Sequence, residues 1–215
     1  MFLLPMMKVK SMDTLAKRVL ELKKSSISKV VGSRLREFRE NGKDDGKIFS
    51  ELCFCICTAN NSAERGLKAQ KEIDFCGLPE PQLRKKMRET VCRFYNSKTE
   101  YIMDARRDKD KILCAVRAPN GAAVREWLVK NVKGLGYKEA SHLLRNIGHT
   151  DVAIIDFHII DLLEREGIVK RPKTLTKKVY LAVEDALSAL AKKTGTSLAE
   201  LDLYLWYIET GKVLK

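Results

Sequence analysis

The stretch from Lys47 to Ala59 constrains the fold most. After Glu51 it is almost wholly apolar, running Leu52-Cys53-Phe54-Cys55-Ile56-Cys57. A helix that is apolar all round must be buried all round, so this segment predicts a central helix wrapped by the rest of the chain. The periodicity elsewhere is helical nearly throughout, and no convincing strand appears. An all-α fold is the expectation. Helices are predicted over Asp13–Lys24, Ser28–Asn41, Ala63–Phe75, Gln82–Val91, Phe94–Arg107, Gly121–Val132, Lys138–Ile147, Val152–Glu166 and Leu175–Lys193, with a weaker segment over Lys109–Val116. A last helix opens on Ser197 and Glu200, spaced as a capping box, and Gly211 stops it. Asn60-Asn61-Ser62 is expected to end the central helix and cap the next. Gly42 to Gly46 has turn chemistry. At 215 residues the chain could form one domain or two small lobes sharing a cleft.

Charge narrows the class of partner. The 215 residues carry a net charge of +13, and 32% of them are charged. So basic a balance points to a polyanion, nucleic acid first, or to a membrane surface. A heat-tolerant protein rich in charge networks fits the composition as well. No apolar run approaches the ~20 residues of a membrane span. Met1 to Met7 is apolar but too short for a signal peptide, so a cytoplasmic, DNA-associated monomer is expected. Met6, Met7 and Met12 leave the start codon open. Cys53, Cys55 and Cys57 form C-x-C-x-C, but alternate residues on a helix point in different directions. They read as buried small hydrophobes rather than as a chelate.

The second informative stretch is Val129 to Asp161. Gly134-Leu135-Gly136-Tyr137 makes a turn between two helical patterns. Gly134 and Gly136 allow positive φ and close backbone approach. The N–H groups of the turn and of the helix start behind it form an anion site, although a plain helix–helix turn uses glycine too. Lys138 stands where the second helix begins, and the positive end of the dipole repels it. That repulsion, with other cations near and partial burial, favours the neutral amine, which is a nucleophile able to form a Schiff base. Asp156 follows the apolar run Val152–Ile155 and lies at or near a helix start, where a carboxylate is favoured. Taken alone, Asp156 reads by default as a helix N-cap.

Gly134-x-Gly136-x-Lys138-x-Ala140, followed by Ile155-Asp156-Phe157-His158, resembles the helix-hairpin-helix, Gly-Pro-Asp type of DNA glycosylase. The blocks at Glu51–Gly66, Arg93–Arg107, Lys133–Gly148 and Glu200–Lys215 resemble the archaeal, type-2 8-oxoguanine DNA glycosylase/AP lyases. This resemblance implies an all-α, two-lobed helix-hairpin-helix fold with the active site in the cleft between lobes, one a helical barrel over 46–150 that ends in the hairpin and the other formed by 1–45 together with 151–215. It implies a bifunctional base-excision repair enzyme acting on double-stranded DNA that contains 8-oxoguanine or abasic sites. Lys138 would attack C1′ of the flipped nucleotide, and Asp156 would support the site electrostatically. Phe94 and Trp206 would lie against the base, and the terminal carboxylate of Lys215 would accept from it. Gly134, Gly136, Tyr137 and His158 would meet the DNA backbone, and Asn60 would fill the gap in the duplex. The backbone carbonyls of Lys130, Val132 and Leu135 could hold a monovalent cation.

Each of these residues also has a plainer reading. Phe94 and Trp206 fit core packing, Asn60 a helix cap, and His158 a capping or packing role. Phe157 departs from the basic residue often found beside the aspartate in this family, which puts one DNA contact in doubt. No iron–sulfur cluster is expected, because cluster relatives carry four cysteines near the C-terminus and the last cysteine here is Cys114. Two other readings stay open. A non-catalytic helix-hairpin-helix module would not need Lys138 or Asp156. A glycosylase for another damaged base is disfavoured by the missing cysteines and by the ending Glu209–Lys215.

Overall fold

The structure, a computed structural model, describes residues 9–91 and 93–213, with side chains from Met12 onward. Among the described residues there is no strand, and twelve helices follow one another. They are α1 (Val9–Lys23), α2 (Ile27–Asn41), α3 (Asp45–Thr58), α4 (Ala63–Glu72), α5 (Glu80–Thr90), α6 (Tyr95–Arg107), α7 (Lys109–Val116), α8 (Gly121–Asn131), α9 (Tyr137–Asn146), α10 (Phe157–Arg165), α11 (Lys177–Thr194) and α12 (Leu198–Thr210). No helix among them is long and apolar enough to cross a membrane. The chain divides into two compact units, Phe38–His149 and Met1–Glu37 with Thr150–Lys215. The first division falls inside α2 rather than in the Gly42–Gly46 turn.

In the unit Phe38–His149, α3 is the buried axis. Ile48, Phe49 and every residue from Glu51 to Thr58 are buried. Helices α4, α6, α7 and α9 pack on it. The Asp44 carboxylate caps its start by accepting from the Lys47 N–H at 2.8 Å. One charged residue is buried within this helix. Glu51 is 4% exposed and accepts from the amides of Asn146 (2.8 Å) and Gln70 (3.0 Å). Arg145 donates to the Asn146 side chain at 2.9 Å, and its guanidinium lies 5.0 Å from the centroid of the Phe38 ring. These contacts draw Phe38 and the end of α2 into this unit.

The other unit is built on α1, the first part of α2, and α10 to α12. Leu15 and Val19 of α1 are fully buried, and α1 packs on α11 and α12. Lys23 closes the end of α11 by donating to the carbonyls of Thr194 and Gly195, both at 2.9 Å. The expected helix Val152–Glu166 is only half present. Residues 152–155 have no regular secondary structure, Asp156 is extended, and α10 starts at Phe157. Side chains of α11 take the backbone groups a helix would have used. Glu184 accepts from the Ala153 N–H (2.7 Å), and Tyr180 Oη donates to the Ala153 carbonyl (2.7 Å) and accepts from the Ile155 N–H (3.2 Å). A buried irregular segment is tolerable only when its polar groups are satisfied in this way.

The three cysteines of α3 are buried at 0% exposure. Burial pushes all three thiols up, that of Cys57 to about 12. Because the thiolate is the reactive form, alkylation of the native protein near neutral pH is expected to mark the exposed Cys76 and Cys114 and to spare Cys53, Cys55 and Cys57 until unfolding. Mass-spectrometric mapping checks this, and native labelling of Cys55 would contradict the buried axis.

Candidate active site

Helices α8 and α9 form the hairpin. Asn120 caps α8 by accepting from the Ala123 N–H at 3.0 Å. Val132 ends it, and Leu135 N–H reaches back to the Val132 carbonyl at 3.4 Å. Only one glycine of the turn needs to be glycine for conformational reasons. Gly134 has φ +87, and a Cβ there would lie 2.6 Å from the Tyr101 ring. Gly136 is extended (φ −91, ψ −172), a conformation open to any residue. Of the two glycines that allow positive φ, only Gly134 uses it. Gly136 is the N-cap of α9 and has no side-chain cap bond, so the first N–H groups of α9 depend on water or a ligand.

Tyr137 is part of the hairpin's own lock. Its hydroxyl donates to Glu126 at 2.5 Å, and its ring faces the guanidinium of Arg125 at 5.3 Å. Arg125 is 1% exposed and donates to Ser141 at 3.2 Å. Lys138 is the second residue of α9 and is half-buried, its side chain 27% exposed. The carboxylate beside its Nζ within this unit is Glu139, at 3.9 Å. Positions i and i+1 do not normally face each other on a helix, so the sequence alone does not point to Glu139. Lys130 lies in the last turn of α8, where carbonyls have no helical partner.

Next to the turn lies a pocket of about 310 Å³ lined by Ile56, Ala59, Asn60, Phe94, Ser97, Lys98, Tyr101 and Gly134. It brings together three residues singled out from the sequence: Asn60, Phe94 and Gly134. Asn60 caps neither neighbouring helix. Ala59 is the C-cap of α3 and Ser62 the N-cap of α4, and Asn60 itself is exposed with φ +53. Phe94 is not core. It is 58% exposed with φ +55, and the Arg93 guanidinium lies 5.6 Å from its ring centroid. Lys98 and Tyr101 carry no sequence signal beyond their helical positions, and they line the pocket because α6 packs on α3.

The other unit holds Asp156, His158 and Trp206. Asp156 is the N-cap of α10 (φ −117, ψ −177), and one carboxylate oxygen accepts from the Ile159 N–H at 3.0 Å. His158 is exposed, and its ring meets Trp206 edge-on at 5.7 Å. Trp206 is half-buried, with its indole N–H unpartnered. Phe157 is 41% exposed, and the Arg171 guanidinium lies 5.0 Å from its ring. A cation therefore does stand beside this position, supplied by the loop after α10, and it also pairs with Asp161. Lys215 lies outside the described residues. Among the described residues, no group of three or more His, Cys, Asp or Glu is gathered as a metal site.

The family model for 8-oxoguanine DNA glycosylase matches residues 31–196. The chain belongs to the 8-oxoguanine DNA glycosylase family. Its relatives include the 8-oxoguanine DNA glycosylase/AP lyase of Methanocaldococcus jannaschii, 46% identical over 205 residues, covering 94% of this chain and 99% of the relative. The crystal structure of the M. jannaschii glycosylase/lyase in complex with a 15mer DNA containing 8-oxoguanine superposes with a TM-score of 0.87 at 46% identity, covering 94% of this chain and all of that one. The 8-oxoguanine DNA glycosylase of Thermotoga maritima gives a TM-score of 0.87 at 41% identity, over 95% of this chain and 100% of that one. The all-α helix-hairpin-helix fold is common to them.

The two turn glycines of this family member should respond differently to substitution. Gly134→Ala meets both the strained φ and the Tyr101 ring, so a loss of roughly 1–3 kcal/mol is expected. Gly136→Ala meets only the flexible end of Glu139, 3.1 Å away, and should cost less than about 1 kcal/mol. Urea denaturation of both variants checks this, and equal losses would contradict the assignment.

Proposed function

We propose that the protein excises 8-oxoguanine from duplex DNA and then nicks the strand, with Lys138 as the nucleophile and Asp156 as the supporting carboxylate. The observation that carries this reading is the placement of Lys138. It stands at the second position of α9, half-buried, directly behind the Gly134 turn, in a chain of this family. Loss of its ammonium proton frees the lone pair for attack.

The chemistry balances in four steps. Lys138 Nζ bonds to C1′ of the flipped nucleotide while the bond from C1′ to N9 breaks, and the base leaves with that electron pair and takes up a proton. Opening of the sugar ring converts the adduct to an imine. Removal of a C2′ proton then expels the 3′ phosphate by β-elimination. Water releases the lysine. Asp156 supports positive charge as it develops at C1′. One of its oxygens is committed to capping α10, which fixes the carboxylate's orientation.

Recognition divides between backbone and base. The turn at Gly134, Gly136 and Tyr137 and the free N–H groups of α9 suit a phosphate, and His158 and Asn60 are further DNA contacts in this reading. Phe94 and Trp206 stack on the flipped base, a contact worth ~1–3 kcal/mol per base. Guanine presents N7 as an acceptor, whereas the 8-oxo form carries a hydrogen there, so an acceptor at that point separates lesion from guanine. The chemistry uses no cofactor. The carbonyls of Lys130, Val132 and Leu135 are donors of the right kind for a monovalent cation, which would add positive charge beside the phosphate. In the cell this reading places the protein on DNA, in the cytoplasm.

Borohydride trapping on duplexes with 8-oxoguanine tests the proposal. A covalent adduct is expected with the wild type and none with Lys138→Gln. Asp156→Asn keeps an N-cap of equal quality, so its melting temperature should hold while excision falls roughly 10²–10³-fold. An adduct that survives Lys138→Gln would refute the assignment, and no adduct with the wild type on any lesion would favour a binding module.

A further inference from the structure

Among the described residues, two that are not glycine have positive φ, Asn60 and Phe94. Both line the pocket beside the turn. A left-handed phenylalanine is a true outlier, and strained residues persist only where their surroundings hold them. One residue connects the two positions, its side chain at the end of α3 and its backbone at the start of α6. Lys98 of α6 is 3% exposed, and its Nζ donates to the carbonyls of Cys57 (2.8 Å) and Ala59 (2.7 Å). Its backbone N–H makes the first bond of α6, to the Phe94 carbonyl at 3.0 Å.

The hydrogen bonds of α3 explain how this arrangement works. In a continuing helix the Cys57 carbonyl would accept from the Asn61 N–H. That N–H turns instead to Thr58, at 2.9 Å. The ammonium takes up the freed Cys57 carbonyl and that of Ala59, two residues on, at the negative end of the α3 dipole. The chain then leaves α3 through Asn60 in the left-handed region. Without the ammonium, two carbonyls would lose their buried donor, and the pressure to rewind that turn would act on Asn60.

We propose that Lys98 is a positioning residue for base excision, a side-chain clamp that sets Asn60 and Phe94 together against the DNA. This rests on the reading of Phe94 as the residue that stacks on the flipped base. The clamp matters for holding the base and less for β-elimination at a site whose base has already gone. Lys98→Met keeps the stem and removes the donors, so the ratio of 8-oxoguanine excision to lyase rate on a preformed abasic site should fall about tenfold. Phe94→Ala should lower the same ratio, and Lys98→Met should add little on top of it. Lys98→Arg, which keeps the donors, should restore most of the ratio.

An unchanged ratio in Lys98→Met beside a lowered one in Phe94→Ala would overturn the proposal, as would losses that multiply in the double variant. If Lys98→Met does not fold, Lys98→Gln, with one donor left, is read by the same ratio. A crystal structure of the variant gives a readout independent of activity: Asn60 still left-handed, with the start of α6 unmoved against the end of α3, would overturn the clamp. Wild-type protein that fails to release 8-oxoguanine would instead overturn the functional reading, and the crystal structure would then decide the clamp alone.

Discussion

A buried carboxylate in a mostly apolar helix is the constraint on which the unit Phe38–His149 depends. Leaving Glu51 ionised and unaccompanied inside the protein would cost several kcal/mol. It is accompanied by the amides of Asn146 and Gln70, and Asn146 is held in turn by Arg145 over Phe38. Partners of this kind tolerate little sliding, because a displaced donor leaves a buried charge without its bond. The end of α9 is therefore fixed on α3. The start of α9, one rigid helix away, carries Lys138. A hydrophobic contact of equal strength would hold the two helices together but would allow more slippage.

The same device recurs wherever the chain must stop being regular. Lys98 ends α3, Lys23 ends α11, and Tyr180 with Glu184 supports the irregular segment that leads to Asp156. In each case a long polar side chain from a neighbouring helix takes a backbone group that regular structure would have used. The positions released by this are Asn60, Phe94 and Asp156. Each was singled out from the sequence as a candidate for function. Local irregularity is thus placed where chemistry needs exposed, oriented groups, and its cost is met by bonds made elsewhere in the same unit.

Much of this was legible beforehand. The apolar run after Glu51 identified the buried axis, and periodicity located most helices, because burial of one face is written in residue spacing. Ser197 was legible as the cap of α12 because a cap is a local contact, and the structure shows it accepting from Glu200 N–H at 3.1 Å. Local rules failed where distant groups intervened. Residues 152–155 have an apolar run that suits a helix, but Tyr180 and Glu184 take the backbone groups of Ala153 and Ile155 and the segment is not helical. Asn60 has the chemistry of a cap and acts as none, since Lys98 already serves the carbonyls. Arg125 and Lys98 left no trace in spacing because their partners belong to other helices, and Glu139 left none because neighbours in sequence do not normally face each other on a helix.

The sequence by itself determined the all-α class, the hairpin with its lysine, and the acid that opens α10. All follow from local periodicity, turn chemistry and capping, which act over a few residues. The tertiary structure decided which glycine of the turn is conformationally required, that Phe94 stands exposed rather than in the core, and that Asn60, Phe94 and Gly134 share one pocket. Those outcomes depend on the packing of α6 and α9 on α3 and on Lys98 reaching carbonyls some forty residues earlier in the chain. No short window of sequence contains such a contact, because the two halves meet only when the helices between them have packed.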